Sequence, residues 1–218
     1  MTSIQYVVRR PSTGSGPFPT IIVLHGYGAD EYDLLGVAAY LPKSLQTISL
    51  QGIYPLPWGG YSWYHLEQTP SGLKGDDPSR RQSLIALKEA LPSILEKEQA
   101  DTNTIILMGF SQGAAMSYGL LNEFHTGDLG IALKGIIAMS GYIPTDTKES
   151  LSKCDLHNLP IFISHGEFDE LIAPLAMIEA TELLNKVNGN VTSHLYPIGH
   201  GISEDTIEAL VEWFNSIY

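Results

Sequence analysis

Four short apolar runs constrain this chain most: IIVL at residues 21–24, IILM at 105–108, IIAM at 136–139 and IFIS at 161–164. A strand covered on both faces has no polar face to alternate with. Apolar runs of this length therefore read as central strands of a largely parallel sheet. Further strands are expected at residues 4–8, 47–50 and 191–196, and the IILM strand begins at Thr104. Between them lie segments of helical spacing at 31–41, 80–99, 112–124, 174–188 and 203–217. Pro42 stops the first. Leu84, Leu87, Leu91, Ile94 and Leu95 share one face of the second, with Pro92 as a place for a kink. Alternation of this kind predicts an α/β fold with a mostly parallel central sheet and helices on both faces. The 218 residues suit a single domain over 1–218, and 44% hydrophobic content suffices for its core. Residues 51–79 stand apart as a long irregular segment, of the sort that is usually functional or mobile.

The chemistry enters at Gly109-Phe110-Ser111-Gln112-Gly113. G-x-S-x-G is a weak motif alone, but here an apolar strand precedes it and a small-residue helix, QGAAMSYGL, follows. A nucleophile elbow needs that strand-turn-helix setting: glycines avoid clashes in the tight turn, and the serine hydroxyl is thrust out above the sheet. The helix N-terminus adds backbone N–H groups and partial positive charge. A serine hydroxyl also needs a base, and the base needs an orienting acid. His200, between two glycines after the strand at 191–196, is the candidate base. Asp169, in the loop after the IFIS strand, is the first choice of acid. Glu167 is its rival and Asp205 a weaker one. All three partners would then sit at strand ends on one edge of the sheet. His65, His125, His157 and His194 lack such framing and read as surface or packing residues.

Leu24-His25-Gly26-Tyr27-Gly28-Ala29-Asp30 follows the second expected strand, where an oxyanion-binding loop belongs. His25 is expected to hold that loop by hydrogen bonds, and Asp30 to cap the next helix. One donor to an oxyanion should be the N–H of Gln112, with the second coming from this loop.

In order and spacing, LHGYGAD, GFSQGAAMSYGL, MSGYIP, HGEFDELI and YPIGHGIS resemble the successive signatures of the phospholipase/carboxylesterase family of α/β-hydrolases. That family includes acyl-protein thioesterases, lysophospholipases and small bacterial carboxylesterases. The resemblance runs from about Pro19 to the C-terminus. It implies a triad of Ser111, Asp169 and His200, with backbone N–H groups of Tyr27 and Gln112 as the oxyanion donors. The segment PLPWGGYSWYHLEQ keeps a Trp-Tyr pair but departs from the loop typical of acyl-protein thioesterases.

The expected activity is hydrolysis of carboxylic esters with apolar acyl chains. Thioesterase or lysophospholipase activity is the near alternative, and an inactive binding protein of the same fold is the alternative of another class. About twenty residues separate the strands at 136–139 and 161–164, too few for a cap domain. The aromatic-rich segment 51–79 would then form a wall of the acyl groove through Leu56, Trp58 and Trp63, or else be a satellite cluster that anchors a long loop. Leu171 and Ile172 would add to the groove. Partners are expected to be small-molecule or lipid esters. A net charge of −12 without Lys/Arg clusters speaks against nucleic acid and anionic membrane surfaces. No stretch of eighteen apolar residues suggests a membrane span, and the N-terminus has no signal-like apolar run. No cofactor is expected, nor a metal, since HExxH and Cys/His clusters are lacking. The single cysteine, Cys154, fits a cytoplasmic protein. Oligomeric state stays open, a homodimer included.

Overall fold

The computed structural model describes residues 4–69, 72–126 and 130–218. In chain order the elements are β1 (Tyr6–Arg9), β2 (Phe18–Leu24), α1 (Leu35–Ala38), β3 (Gln46–Leu50), β4 (Tyr54–Pro55) and β5 (Tyr61–Ser62). Then come β6 (Leu66–Thr69), β7 (Gly72–Gly75), α2 (Asp77–Lys97), β8 (Ala100–Phe110), α3 (Gln112–Thr126) and β9 (Leu133–Met139). The chain continues through α4 (Thr145–Leu151), β10 (Pro160–Gly166), α5 (Leu175–Lys186), β11 (Asn190–Tyr196) and α6 (Glu204–Ile217).

Seven strands form one sheet in the order β1-β3-β2-β8-β9-β10-β11. Only β1 runs antiparallel, against β3. The apolar runs are central strands, as their composition requires. Ile22, Leu24, Leu107 and Ile136 point to one face, where they meet Leu87, Leu91 and Leu95 of α2 and the small side chains of α3. Ile21, Val23, Ile106 and Met108 point to the other, against Ala38 of α1 and Leu210, Trp213 and Phe214 of α6. Truncating one such buried side chain to alanine costs about 2–5 kcal/mol, because the packed surroundings collapse only partly into the void.

Local signals explain the element ends. Asp76 caps α2 by accepting a hydrogen bond from the Ser79 N–H, and Pro78 sits in the first turn, so the helix starts three residues before the expected Arg80. Pro92 lies on the exposed side of an unbroken helix. Ser203 and Thr206 form a reciprocal capping box at the start of α6.

Three expectations need correction. The helix expected at 31–41 is the single turn Leu35–Ala38, with hydrogen-bonded turns on both sides. Asp30 accordingly caps no helix: its Oδ1 accepts from the Tyr32 N–H, which closes a local turn. The segment at 51–79 is not irregular. It holds two small antiparallel hairpins, β4–β5 and β6–β7, and the first turn of α2. Helix α4 was not foreseen, since only Thr147 and Leu151 of its seven residues are buried and the apolar signal is faint.

Register brings the site together. Leu24 pairs with Gly109, Gly109 with Ala138, Met139 with Ser164, and Gly166 with Tyr196. The carboxyl ends of β2, β8, β9, β10 and β11 therefore share one edge. After β2 the chain moves to one side to form β3, then to the other to form β8. Open sheets of this class leave a crevice at such a reversal.

Candidate active site

The turn after β8 carries Ser111 in the left-handed region, with φ +54°. A non-glycine residue held there costs about 1–2 kcal/mol, so the surroundings must enforce it. Its N–H donates to the Met139 carbonyl at 2.9 Å. The flanking glycines are required by close backbone approach. A Cβ on Gly109 would lie 2.2 Å from the Gly113 carbonyl oxygen, and one on Gly113 would lie 1.9 Å from that of Leu24. The first contact tightens the elbow, and the second lets α3 start directly against β2.

His200 reaches Ser111 from the loop after β11. Its Nε2 lies 2.9 Å from the Ser111 Oγ and its Nδ1 lies 2.7 Å from the Asp169 Oδ2. With Nδ1–H donating to the carboxylate, Nε2 is left to accept from the serine hydroxyl. The two loops are tied by backbone: Phe168 N–H donates to the Ile198 carbonyl at 2.9 Å and Glu167 N–H to that of Tyr196 at 2.7 Å. Glu167 is exposed, whereas Asp169 is buried.

Asp169 is heavily hydrogen-bonded. Its Oδ1 accepts from the Leu171 and Ile172 N–H groups, both at 2.9 Å. Burial alone would favour the neutral acid. The Ile172 N–H, His200 and the Leu171 N–H outweigh it and hold the carboxyl below the usual aspartate range. A second histidine, His165, also touches this acid. Its side chain is fully buried, and its Nε2 lies 2.8 Å from the Ile172 carbonyl oxygen and 3.2 Å from the Asp169 Oδ2. Facing two acceptors, that nitrogen carries a proton. Sequence reasoning gave His165 no role. The available signal was its place four residues before the acid, one turn of loop away.

On the other flank, His25 holds its loop as expected. Its Nδ1 lies 2.6 Å from the Gly26 carbonyl oxygen, and its Nε2 accepts from the Gly52 N–H at 2.9 Å. Those roles make it a neutral Nδ1–H imidazole, and burial pushes its pKa below the ordinary histidine value. The N–H groups of Gly28 and Ala29 are used, by the Tyr61 and Gly26 carbonyls. Among the described residues, neither the Tyr27 N–H nor the Gln112 N–H donates to a protein acceptor. A hydroxyl, an imidazole, a carboxylate and two open N–H groups of this kind are what attack on an ester carbonyl uses.

The residues expected to line an acyl groove divide. Trp58 and Leu171 are 71% and 69% exposed. Leu56 and Ile172 are half-buried. Trp63 is a correction: it is 0% exposed and faces no groove. The hairpin β4–β5 turns it inward, and its Nε1–H donates to the His25 carbonyl at 2.9 Å.

Known proteins place the chain. Residues 11–217 match the model of the phospholipase/carboxylesterase family. The chain is 29% identical over 179 residues to acyl-protein thioesterase 1 homolog 1 of Dictyostelium discoideum, which covers 78% of this chain and 72% of that protein. It is 24% identical to the putative hydrolase MhqD of Bacillus subtilis, over 89% of this chain and 91% of that one. Its fold is similar to that of a Bacillus cereus carboxylesterase, with a TM-score of 0.81, 23% identity, and coverage of 99% of this chain and 95% of the other. From its sequence, its strand order and its elbow, the chain belongs to the phospholipase/carboxylesterase family of α/β-hydrolases.

Proposed function

We propose that the protein is a serine carboxylesterase that hydrolyses esters with apolar acyl chains through an acyl-Ser111 intermediate. The observation that carries this reading is the unbroken relay from Ser111 Oγ through His200 to Asp169, at 2.9 and 2.7 Å. Ser111 Oγ attacks the ester carbonyl carbon while His200 Nε2 takes its proton. The negative charge that forms on the carbonyl oxygen is met by the Tyr27 and Gln112 N–H groups. Collapse expels the alcohol, which takes the proton back from His200. Water then repeats the sequence on the acyl-enzyme and releases the acid. Asp169 stays ionised throughout and stabilises the imidazolium.

The exposed Trp58 and Leu171 are the proposed contacts for the acyl chain, together with the half-buried Leu56 and Ile172. The same chemistry cleaves thioesters, and the Dictyostelium relative carries a thioesterase name, so a thioester is the second substrate to test. A cytoplasmic setting belongs to this reading, since the lone Cys154 can form no intramolecular disulfide.

The test is fluorophosphonate labelling with mass-spectrometric assignment, followed by a panel of p-nitrophenyl esters, acyl-CoA thioesters and lysophospholipids. Label on Ser111 and its loss, with activity, in Ser111→Ala support the reading. A folded wild type that neither labels nor hydrolyses any member of the panel would mean a binding protein on a hydrolase fold.

A further inference from the structure

Trp63 is held by three hydrogen bonds of its own, and two of them lead to the candidate oxyanion donors. Its Nε1–H donates to the His25 carbonyl, two residues before Tyr27, at 2.9 Å. Its backbone N–H donates to the Gln112 Oε1 at 2.9 Å, and the Gln112 Nε2 donates in turn to the Tyr64 carbonyl at 2.9 Å. The Gln112 side chain is thereby clasped to the backbone of two consecutive residues. The Ser83 hydroxyl of α2 donates to the Trp63 carbonyl. Just upstream, Tyr61 exchanges bonds with the oxyanion loop: its carbonyl accepts from the Gly28 N–H at 2.9 Å and its N–H donates to the Ala29 carbonyl at 2.8 Å. Tyr27 thus lies between two bonded anchors, the His25 carbonyl and the Gly28 N–H.

Core packing alone does not account for this. The indole could fill its volume without its N–H reaching that one carbonyl, and a leucine at 112 could cover the same surface as glutamine. Both N–H groups of Trp63, indole and backbone, are satisfied by segments that bear, or lead into, a proposed oxyanion donor. A preorganised donor pair works because it need not move as charge develops.

We propose that Trp63 is a positioning residue for catalysis: the segment around it is a brace that fixes the separation and aim of the Tyr27 and Gln112 N–H groups. The brace rests on the reading of Ser111 as the nucleophile. It implies that damage appears in the transition state and not in substrate binding.

Trp63→Phe removes one N–H and keeps an aromatic core. Removal of a whole oxyanion donor costs about a hundredfold to a thousandfold, so loosening the pair should lower kcat by about 10–100-fold. KM for p-nitrophenyl butyrate should change less than about threefold. The affinity of a boronic acid that forms a tetrahedral adduct on Ser111 should fall by the same factor as kcat. Amide hydrogen exchange at residues 25–28 should quicken while that of α6 stays unchanged. Gln112→Met cuts the brace from the helix side, leaves the residue-112 N–H in place, and should give the same split. Wild-type kcat and boronate affinity in either folded variant would overturn the proposal. So would a loss carried wholly by KM, which would return Trp63 to the substrate wall. Failure of the underlying site reading has a different mark, the absence of Ser111 labelling in the wild type.

Discussion

The two flanks of Ser111 are made of different materials. On the β10–β11 flank the proposed working groups are side chains, Asp169 and His200, with His165 behind them. On the β2–β3 flank they are backbone N–H groups, while the side chains nearby, His25, Trp63 and that of Gln112, are struts that hold the backbone still. Atoms of the first kind disappear with a substitution. Those of the second kind survive almost any substitution and are lost only when the chain moves. The flanks should therefore respond to mutation in opposite ways.

The sharpest test is on the first flank. Asp169→Asn should lower kcat by about ten-thousandfold, because an amide orients the imidazole in the wrong tautomer. Glu167→Gln should stay within about threefold of wild type, as an exposed charge outside the relay. Parallel kcat measurements decide, and a reversed order would move the acid to Glu167. The next effect is smaller. His165→Leu removes a hydrogen bond to a charged acceptor and to the loop that carries it, and should cost about tenfold or more in kcat. His165→Gln, which can still donate, should recover most of that loss. Equal activity in the two variants would show that His165 only fills space.

Trp58→Ala probes the proposed contact with the acyl chain. Each buried methylene of a substrate gains about 0.8 kcal/mol. If Trp58 contacts the acyl chain as proposed, its loss should lower kcat/KM for a p-nitrophenyl octanoate by about three- to tenfold more than for the acetate. Equal losses would place the acyl chain on Leu171 instead. The smallest effect belongs to the second flank. Tyr27→Ala keeps the N–H and deletes only a partly exposed ring, so kcat should stay within about threefold of wild type. A loss as large as that of Asp169→Asn would break the contrast, since it would give the Tyr27 side chain a chemical role.

The same division runs through what could be read from the chain. Apolar runs located the central strands because burial on both faces leaves no alternative composition. The elbow was legible because its glycines answer a purely local demand for close approach. Asp169 and His200 could be placed because each follows a strand whose carboxyl end must open on the same edge. The sequence also carried enough to place the His25 loop next to Ser111. It could not give the role of His165, because nothing local tells a buried histidine that touches a carboxylate from one that fills a core. Trp63 was misplaced for a related reason: an aromatic residue in a loop has the same composition whether it faces solvent, substrate or core. Only the pairing of Tyr61 with Ala29 and the clasp from Gln112 turn it inward. Hydrophobic period and turn chemistry act over a few residues and so are written in the chain. The partners of a polar atom forty residues away are set by how the sheet brings distant backbone together, and that was decided in three dimensions.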